Sequence, residues 1–222
     1  MRINKWLALH TELSRRKADE AVANGRVRIN SVVAKIGDSI KDGDKLSLDG
    51  KDIVSTESYT TIMLNKPIGI VCSSVGQGSK TIYDIIPTKY HHLKSVGRLD
   101  KYTSGLLLMT NDGTLLNDLT HPSKNKEKIY FVELHKPLTE SAQTHLKRGV
   151  DIDDERQSYL RVSAKFDVES DAVYTVKINE GRNRQIRRTF DAIGYDVIRL
   201  HRSEFADYKL GLLKPGEIKL LD

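Results

Sequence analysis

The sequence predicts an α+β fold in two pieces. A small N-terminal piece of helices and a hairpin precedes a larger piece built on a largely antiparallel, mixed β-sheet flanked by helices. Three observations carry this. Beyond residue 60 strand-like runs outnumber helical patterns, and the helices fall singly among them. The stretch Lys51–Thr60 is polar and without periodicity, so it reads as a linker between a piece at 1–50 and a piece at 61–222. A length of 222 residues suits one medium domain plus a small one.

The N-terminal elements follow from local pattern. Ile3, Trp6 and Leu7 are spaced i, i+3, i+4, which predicts a helix over residues 2–10. Ser14 is the expected N-cap of a second helix, Arg15–Asn24, with Ala18, Ala21 and Val22 turned inward and Gly25 as its stop. Val27 and Ile29, then Val32 and Val33, flank Asn30-Ser31 as a hairpin. Gly37-Asp38 and Asp42-Gly43-Asp44 are turns, and Lys45–Leu48 is a short strand.

In the larger piece Thr61–Leu64 and Ile68–Cys72 read as strands broken by Asn65-Lys66-Pro67. Leu106–Thr110 is a buried strand. Asn111-Asp112-Gly113 turns into a short helix through Leu119 that ends before Pro122. Ile129–Leu134 is another buried strand, and Thr139 caps a helix that runs to Arg148 and stops at Gly149. Tyr159–Phe166 and Ala172–Ile178 form a hairpin, Arg184–Ile193 a helix ended by Gly194, and Val197–Leu200 and Glu217–Leu220 late strands.

Composition excludes several classes. One cysteine, Cys72, forbids an intrachain disulfide framework and a cysteine-based zinc site. The seven histidines show no ligand spacing, so no metal is expected. No apolar run approaches the ~20 residues a membrane helix needs, and the amphipathic opening lacks a signal-peptide core, so a cytoplasmic, membrane-free protein is expected. Asp151, Asp153, Asp154 and Glu155 lack the glycine and terminal glutamate of a calcium loop and read as a solvated turn. The net charge of +6 is modest but clustered. Residues 1–28 carry Arg2, Lys5, Arg15, Arg16, Lys17, Arg26 and Arg28 against three acids, and residues 177–202 carry seven cations against three, each a net of +4. Clustered charge is the footprint of a polyanion partner. Arg15 to Lys17 sit where they oppose the helix dipole by a few tenths of a kcal/mol to about 1, which suits a phosphate backbone better than it suits the helix.

Two segments carry chemistry. In Gly97-Arg98-Leu99-Asp100-Lys101-Tyr102-Thr103-Ser104-Gly105, an acid sits in a loop just before an apolar strand, where a scaffold can hold and tune it. A lone loop aspartate is ordinarily a turn residue, so Asp100 needs company. Glu180 to Phe190 supplies it: Ile186, Phe190 and Ile193 make one helix face, and Arg184, Arg187, Arg188 and Asp191 another. One guanidinium could hold Asp100 ionised and the others could meet phosphate.

Residues 1–50 resemble the S4 RNA-binding domain, through Met1–Leu7, Leu13–Ala18 and Asn24–Asn30, with Asn30-Ser31 where that family usually has Asn-Gly. Nearly the whole chain resembles the RsuA-type pseudouridine synthases, which isomerise a uridine in ribosomal RNA. The carriers are Asn65–Val71, Gly97–Gly113, Glu127–Val132, Glu180–Phe190 and Arg199–Arg202. This resemblance implies an S4-like domain joined to a pseudouridine synthase domain. It makes Asp100 the catalytic aspartate, Tyr130 the residue stacking on uracil, and Arg187 the partner of Asp100. Leu200 becomes a pocket wall and Arg98 the occupant of the space left by the displaced base. It further implies RNA contacts by the N-terminal cations and by Lys101, Arg184 and Arg188, no cofactor, and a monomer acting on ribosomal RNA or an assembly intermediate. The competing readings are a non-catalytic RNA-binding or ribosome-assembly protein on the same fold, and a glycosidase or nucleosidase, which would normally need a second carboxylate across the scissile bond.

Overall fold

In the computed structural model the chain forms two compact units, Met1–Tyr59 and Thr60–Asp222. The structure describes residues 1–11, 13–53, 59–152, 156–164 and 170–221. Asp153, Asp154 and Glu155, the tip of the expected hairpin at 165–169, and residues 54–58 of the expected linker lie outside them.

In the first unit, helices α1 (Ile3–His10) and α2 (Arg15–Ala23) bury Ile3, Trp6, Leu7, Ala18, Ala21 and Val22 against Val27, Ala34, Ile40 and Leu46. The Ser14 hydroxyl accepts the Lys17 N–H at 3.2 Å, a cap that contributes about 1 kcal/mol. Four short strands follow: β1 (Val27–Ile29), β2 (Val32–Val33), β3 (Leu46–Leu48) and β4 (Lys51–Ile53). They pair antiparallel in the order β2-β1-β3-β4. The last strand corrects the expected linker: Lys51–Ile53 is an edge strand hydrogen-bonded to β3. Its signal was Asp49-Gly50, with φ of 52° and 77°, the left-handed pair that a two-residue hairpin requires.

The second unit is built on a sheet whose main path runs β13-β5-β7-β11-β8-β10-β9. In chain order its elements are β5 (Thr61–Lys66), β6 (Lys94–Ser95), β7 (Thr103–Thr110), α3 (Gly113–Thr120) and β8 (Lys128–Leu134). Then come α4 (Glu140–Arg148), β9 (Arg161–Ala164), β10 (Val173–Ile178), α5 (Gln185–Asp191), β11 (Val197–Phe205), β12 (Tyr208–Lys209) and β13 (Ile218–Leu221). Only β7 and β11 run parallel; the other described pairings are antiparallel. Alternation along β7 explains the layers. Leu107 and Met109 join Ile62, Leu64, Ile82, Ile86 and Leu93 in one cluster. Leu106 and Leu108 join Met63, Val96 and Leu119 of α3 in another. A third cluster seats α4 and α5 through Ala142, Leu146, Ile186 and Phe190 against Val132, Leu134, Tyr174, Val176 and Leu200.

Two further expectations are corrected. Ile68–Cys72 is not a strand. Gly69, at φ 89°, turns the chain after Pro67, leaving a lone bridge between Val71 and Thr81. The Gly69 N–H instead donates to the Lys101 carbonyl at 2.7 Å, which ties this loop to the turn holding Asp100. The helix expected from Arg184 begins one residue later, because Arg184 is left-handed at φ 46°.

Candidate active site

Asp100 closes the loop that leads into β7, and its own turn holds it. Oδ1 accepts the Tyr102 N–H at 2.8 Å and Oδ2 accepts the Thr103 hydroxyl at 2.8 Å. Each carboxylate oxygen has a second lone pair, and the side chain remains 24% exposed. The carboxylate is therefore oriented yet open to a ligand.

Arg187 reaches it from α5. Its Nε lies 3.8 Å from Asp100 Oδ2, close enough for charge attraction and too far for a hydrogen bond. The terminal nitrogens are committed to backbone: Nη1 donates to the Val197 carbonyl and Nη2 to the Tyr102 carbonyl, each at 2.9 Å. Nε is buried without a hydrogen-bond partner. Burial pulls the Arg187 pKa down, Asp100 pushes it back up, and Arg184 lowers it slightly more. The cation is thus fixed at a standoff from the carboxylate, with one donor unspent.

The sheet register assembles the surroundings. Lys66 pairs with Gly105, Gly105 with Arg202, Arg202 with Tyr130, and Tyr130 with Val176, a single row across β5, β7, β11, β8 and β10. One step along, Thr103 pairs with Leu200 and Leu200 with Val132. Paired residues leave the sheet on the same side, so Tyr130 and Leu200, both buried, flank the strand end that carries Asp100. Gly105 has no substitute here. At φ 109°, a Cβ would fall 2.2 Å from the Arg202 carbonyl oxygen.

Three residues in these rows were given no role by sequence reasoning. Thr103 holds the Asp100 carboxylate. Lys66 is fully buried, and its Nζ donates to the Pro67 carbonyl at 3.0 Å. Burial pushes its pKa down, while Cys72 and Asp100 push it up. Arg202 is 2% exposed; its Nε donates to the Leu106 carbonyl at 2.9 Å and its guanidinium lies 4.9 Å from the centre of the Phe205 ring. Cys72 packs at the seam of two clusters and accepts the Leu99 N–H at 3.4 Å, and burial pushes its thiol up. The sequence offered no signal for Lys66 and Arg202, because the expected strands stopped at Leu64 and Leu200 and only the structure carries them on to Lys66 and Phe205. The segment ahead of α5 is also wired from within. Buried Gln185 donates to Glu180 and to Ser158, and Thr189 donates to Ser158 at 2.7 Å.

The remaining candidates are dispersed. Arg98 is exposed and Arg184 is exposed. Lys101 donates to the Ser79 hydroxyl at 3.1 Å. Arg188 is half-buried and donates to the Ile152 and Asn183 carbonyls. In the first unit Arg2, Arg15, Arg16 and Lys17 are exposed and Lys5 is half-buried. Arg26 is tied to Asp49 by two hydrogen bonds of 2.8 and 2.6 Å, which raise the Arg26 pKa and lower that of Asp49. Arg28 donates to the Ser31 carbonyl at 2.7 Å.

Comparison with known proteins identifies the family. The sequence profile of the S4 domain matches residues 1–46, and that of the RNA pseudouridylate synthase family matches residues 60–192. A ribosomal large subunit pseudouridine synthase B of Xanthomonas campestris is 34% identical over 94% of this chain and 44% of its own length. The chain thus spans about half the length of that relative. It spans 91% of the Bacillus subtilis protein of the same name, which is 33% identical over 99% of this chain. A crystal structure of a pseudouridylate synthase superposes with a TM-score of 0.69 at 30% identity, over 100% of this chain and 96% of the other. With a matched profile covering more than half of its residues, this chain belongs to the RNA pseudouridylate synthase family and carries an S4 domain at its N-terminus.

Proposed function

We propose that this chain isomerises a uridine of ribosomal RNA to pseudouridine, as a cytoplasmic monomer, with Asp100 acting at C1′ of a flipped-out nucleotide and without a cofactor. The observation that carries the reading is Asp100 itself: a carboxylate held by two donors of its own turn, faced by Arg187 from a distant helix and flanked by Tyr130 and Leu200. The names of the relatives support ribosomal RNA, and large-subunit RNA is the first substrate to test.

The chemistry fits this equipment. Pseudouridine forms when the C1′–N1 bond breaks, the uracil turns, and C5 joins C1′. No group is lost and no electron is gained, so an isomerase needs no redox partner. Asp100 either attacks C1′ or removes a sugar proton, with the Arg187 cation 3.8 Å from its carboxylate. Tyr130 offers the ring on which a detached uracil stacks, and buried Leu200 helps exclude water. The base must leave its stack to reach them. In this reading residues 1–50 hold structured RNA through Arg15, Arg16 and Lys17, assisted by Arg2, Lys5 and Arg28, while residues 61–222 do the chemistry. Arg26, committed to Asp49, contributes less.

Incubation with unmodified large- and small-subunit ribosomal RNA, followed by mapping of pseudouridine, tests this. Wild-type protein should modify a discrete position. Asp100→Asn should lower the rate by about 10³-fold or more while RNA affinity is unchanged. Normal turnover by Asp100→Asn would sink the mechanism, and RNA binding without product from the wild type would favour a non-catalytic role.

A further inference from the structure

Arg202 has no part in the scheme above, yet it is a buried cation near the site. The residue is 98% buried, and no carboxylate among the described residues pairs with it within 4 Å. Backbone takes Nε through the Leu106 carbonyl, whereas Nη2 is buried with no hydrogen-bond partner at all. A buried donor left unmade carries a desolvation penalty, larger when the group is charged. Such an expense persists when the donor has a use that the unliganded protein does not show.

Its place in the sheet says what that use is. Arg202 stands in register between Gly105 and Tyr130, two residues beyond Leu200. Because Gly105 has no side chain, nothing from β7 covers it in that row. Cations gather here: Arg202 and Lys66 both act on Cys72, and Arg202 acts on Lys128, two residues before Tyr130 on β8, where Glu180 opposes it. Asp100 serves as counter-charge to Lys66 and Arg187, and Arg202 is left over. The site is therefore built with a buried cation that is the register neighbour of Tyr130 and whose guanidinium lies over the Phe205 ring.

We propose that Arg202 is a catalytic residue that stabilises the negative charge of the detached uracil, a role that rests on the isomerase reading above. When the C1′–N1 bond breaks, its electron pair stays with N1 and spreads to O2 and O4. On the sugar side, Asp100 either bonds to C1′ or takes a sugar proton; on either path the uracil is an anion. It stays one until C5 bonds C1′, as the Asp100–C1′ bond breaks or Asp100 hands the sugar proton back; C5 then loses its proton and N1 gains one. Nη2 of Arg202 donates to a uracil oxygen through this interval and keeps its own proton, so the overall reaction remains an isomerisation. A donor aimed at charge that exists only during reaction is the arrangement that lowers a barrier without tightening ground-state binding.

The test compares leaving groups. Full-length wild type, Arg202→Met and Arg202→Lys are assayed in single turnover on transcribed large-subunit RNA containing uridine, or 5-fluorouridine throughout. Fluorine makes the departing base more acidic and less in need of stabilisation. Arg202→Met should cleave the target uridine about 10²–10³-fold more slowly than wild type with RNA affinity retained. Its deficit should shrink at least tenfold on the fluorinated RNA, and Arg202→Lys should fall between. If Arg202→Met does not fold, the ratio of wild type to Arg202→Lys on the two RNAs carries the same comparison. Equal deficits on both RNAs would assign Arg202 to structure alone and overturn the proposal. Failure of the wild type to form pseudouridine on ribosomal RNA would instead overturn the isomerase reading, and this inference with it.

Discussion

Residues 1–28 and residues 177–202 carry the same charge, seven cations against three acids, and the fold treats them in opposite ways. In the first stretch Arg15, Arg16 and Lys17 stay on the surface at the start of α2, held among the described residues by nothing stronger than an Arg15 contact of 3.5 Å to Asn4. In the second, Arg184 and Arg199 stay exposed, but Arg182, Arg187, Arg188 and Arg202 are drawn inward and donate to backbone carbonyls. The difference teaches that a local charge excess has two uses. Exposed cations make a field that attracts a polyanion over a distance and is screened by salt. Buried ones act at contact range, where a single misplaced nitrogen matters. Counting charges along the chain cannot separate the two uses; burial can.

The largest expected effect tests the inward set. Arg187→Met keeps the length of the side chain and removes the cation facing Asp100, along with two hydrogen bonds that join α5 to Val197 and Tyr102. Pseudouridine formation should fall by about 10²-fold at saturating RNA, with affinity for RNA little changed. A loss of affinity with normal saturated turnover would mean that Arg187 behaves like a surface cation, and the contrast would collapse.

Next comes the outward set. Replacing Arg15, Arg16 and Lys17 with Gln should weaken RNA binding and leave the saturated rate intact. If all three contact phosphate, the slope of log affinity against log salt should fall by about 2. An unchanged slope would remove these residues from the RNA interface.

Lys128 is a smaller test of the same contrast. Burial, reinforced by Arg202 and opposed by Glu180, brings its pKa down to about 8 from the ordinary 10.5. Between those values the unfolded chain holds a proton that the folded chain has released, so folding stability rises with pH across that window. Below about 8 both forms are protonated and the burial penalty is present in full. Lys128→Met should flatten this rise by roughly 1 kcal/mol, a figure kept low because the side chain still meets solvent. The comparison is a difference in urea unfolding curves between variant and wild type from pH 7 to 10. A variant that tracks wild type throughout would place Lys128 among freely solvated lysines.

These cases also show what the sequence could reveal. Helix starts at Ser14 and Thr139, and the buried strand before Asn111, were legible because capping and alternation are local. Asp100 and Arg187 were legible as members of two distinctive runs. Their standoff was not, because it depends on carbonyls of Tyr102 and Val197 that tertiary packing brings to the guanidinium. Lys66 and Arg202 were hidden for the same reason: only the register across β5, β7, β11 and β8 puts them in one row with Tyr130. Ile68–Cys72 misled because its apolar pattern outweighed Gly69, whose φ of 89° breaks the strand. Asp49-Gly50 was a plain hairpin signal overlooked beside the polar run that follows it.

That hairpin sets up the smallest effect. The first unit contains two two-residue turns, Asp49-Gly50 and Asn30-Ser31, and both need positive φ at each central residue. The first uses glycine at its second position, where the left-handed region carries no steric cost. The second places Ser31 there at φ 71°, and an L-residue in that region costs about 1 kcal/mol or slightly more. Ser31→Gly removes this strain but gives the unfolded chain more freedom, which cancels about half of the gain. The net stabilisation should be roughly 0.5 kcal/mol, read from thermal or urea unfolding. The carbonyl that accepts from Arg28 belongs to the backbone and survives the substitution, and the Asn30 contacts to Asp44 and Lys45 are untouched. Because no charge changes, RNA affinity and its salt dependence should remain those of the wild type. A stiffer turn that altered the salt slope would show that the outward cations depend on the shape of this hairpin, and that the field of the first unit is not set by exposure alone.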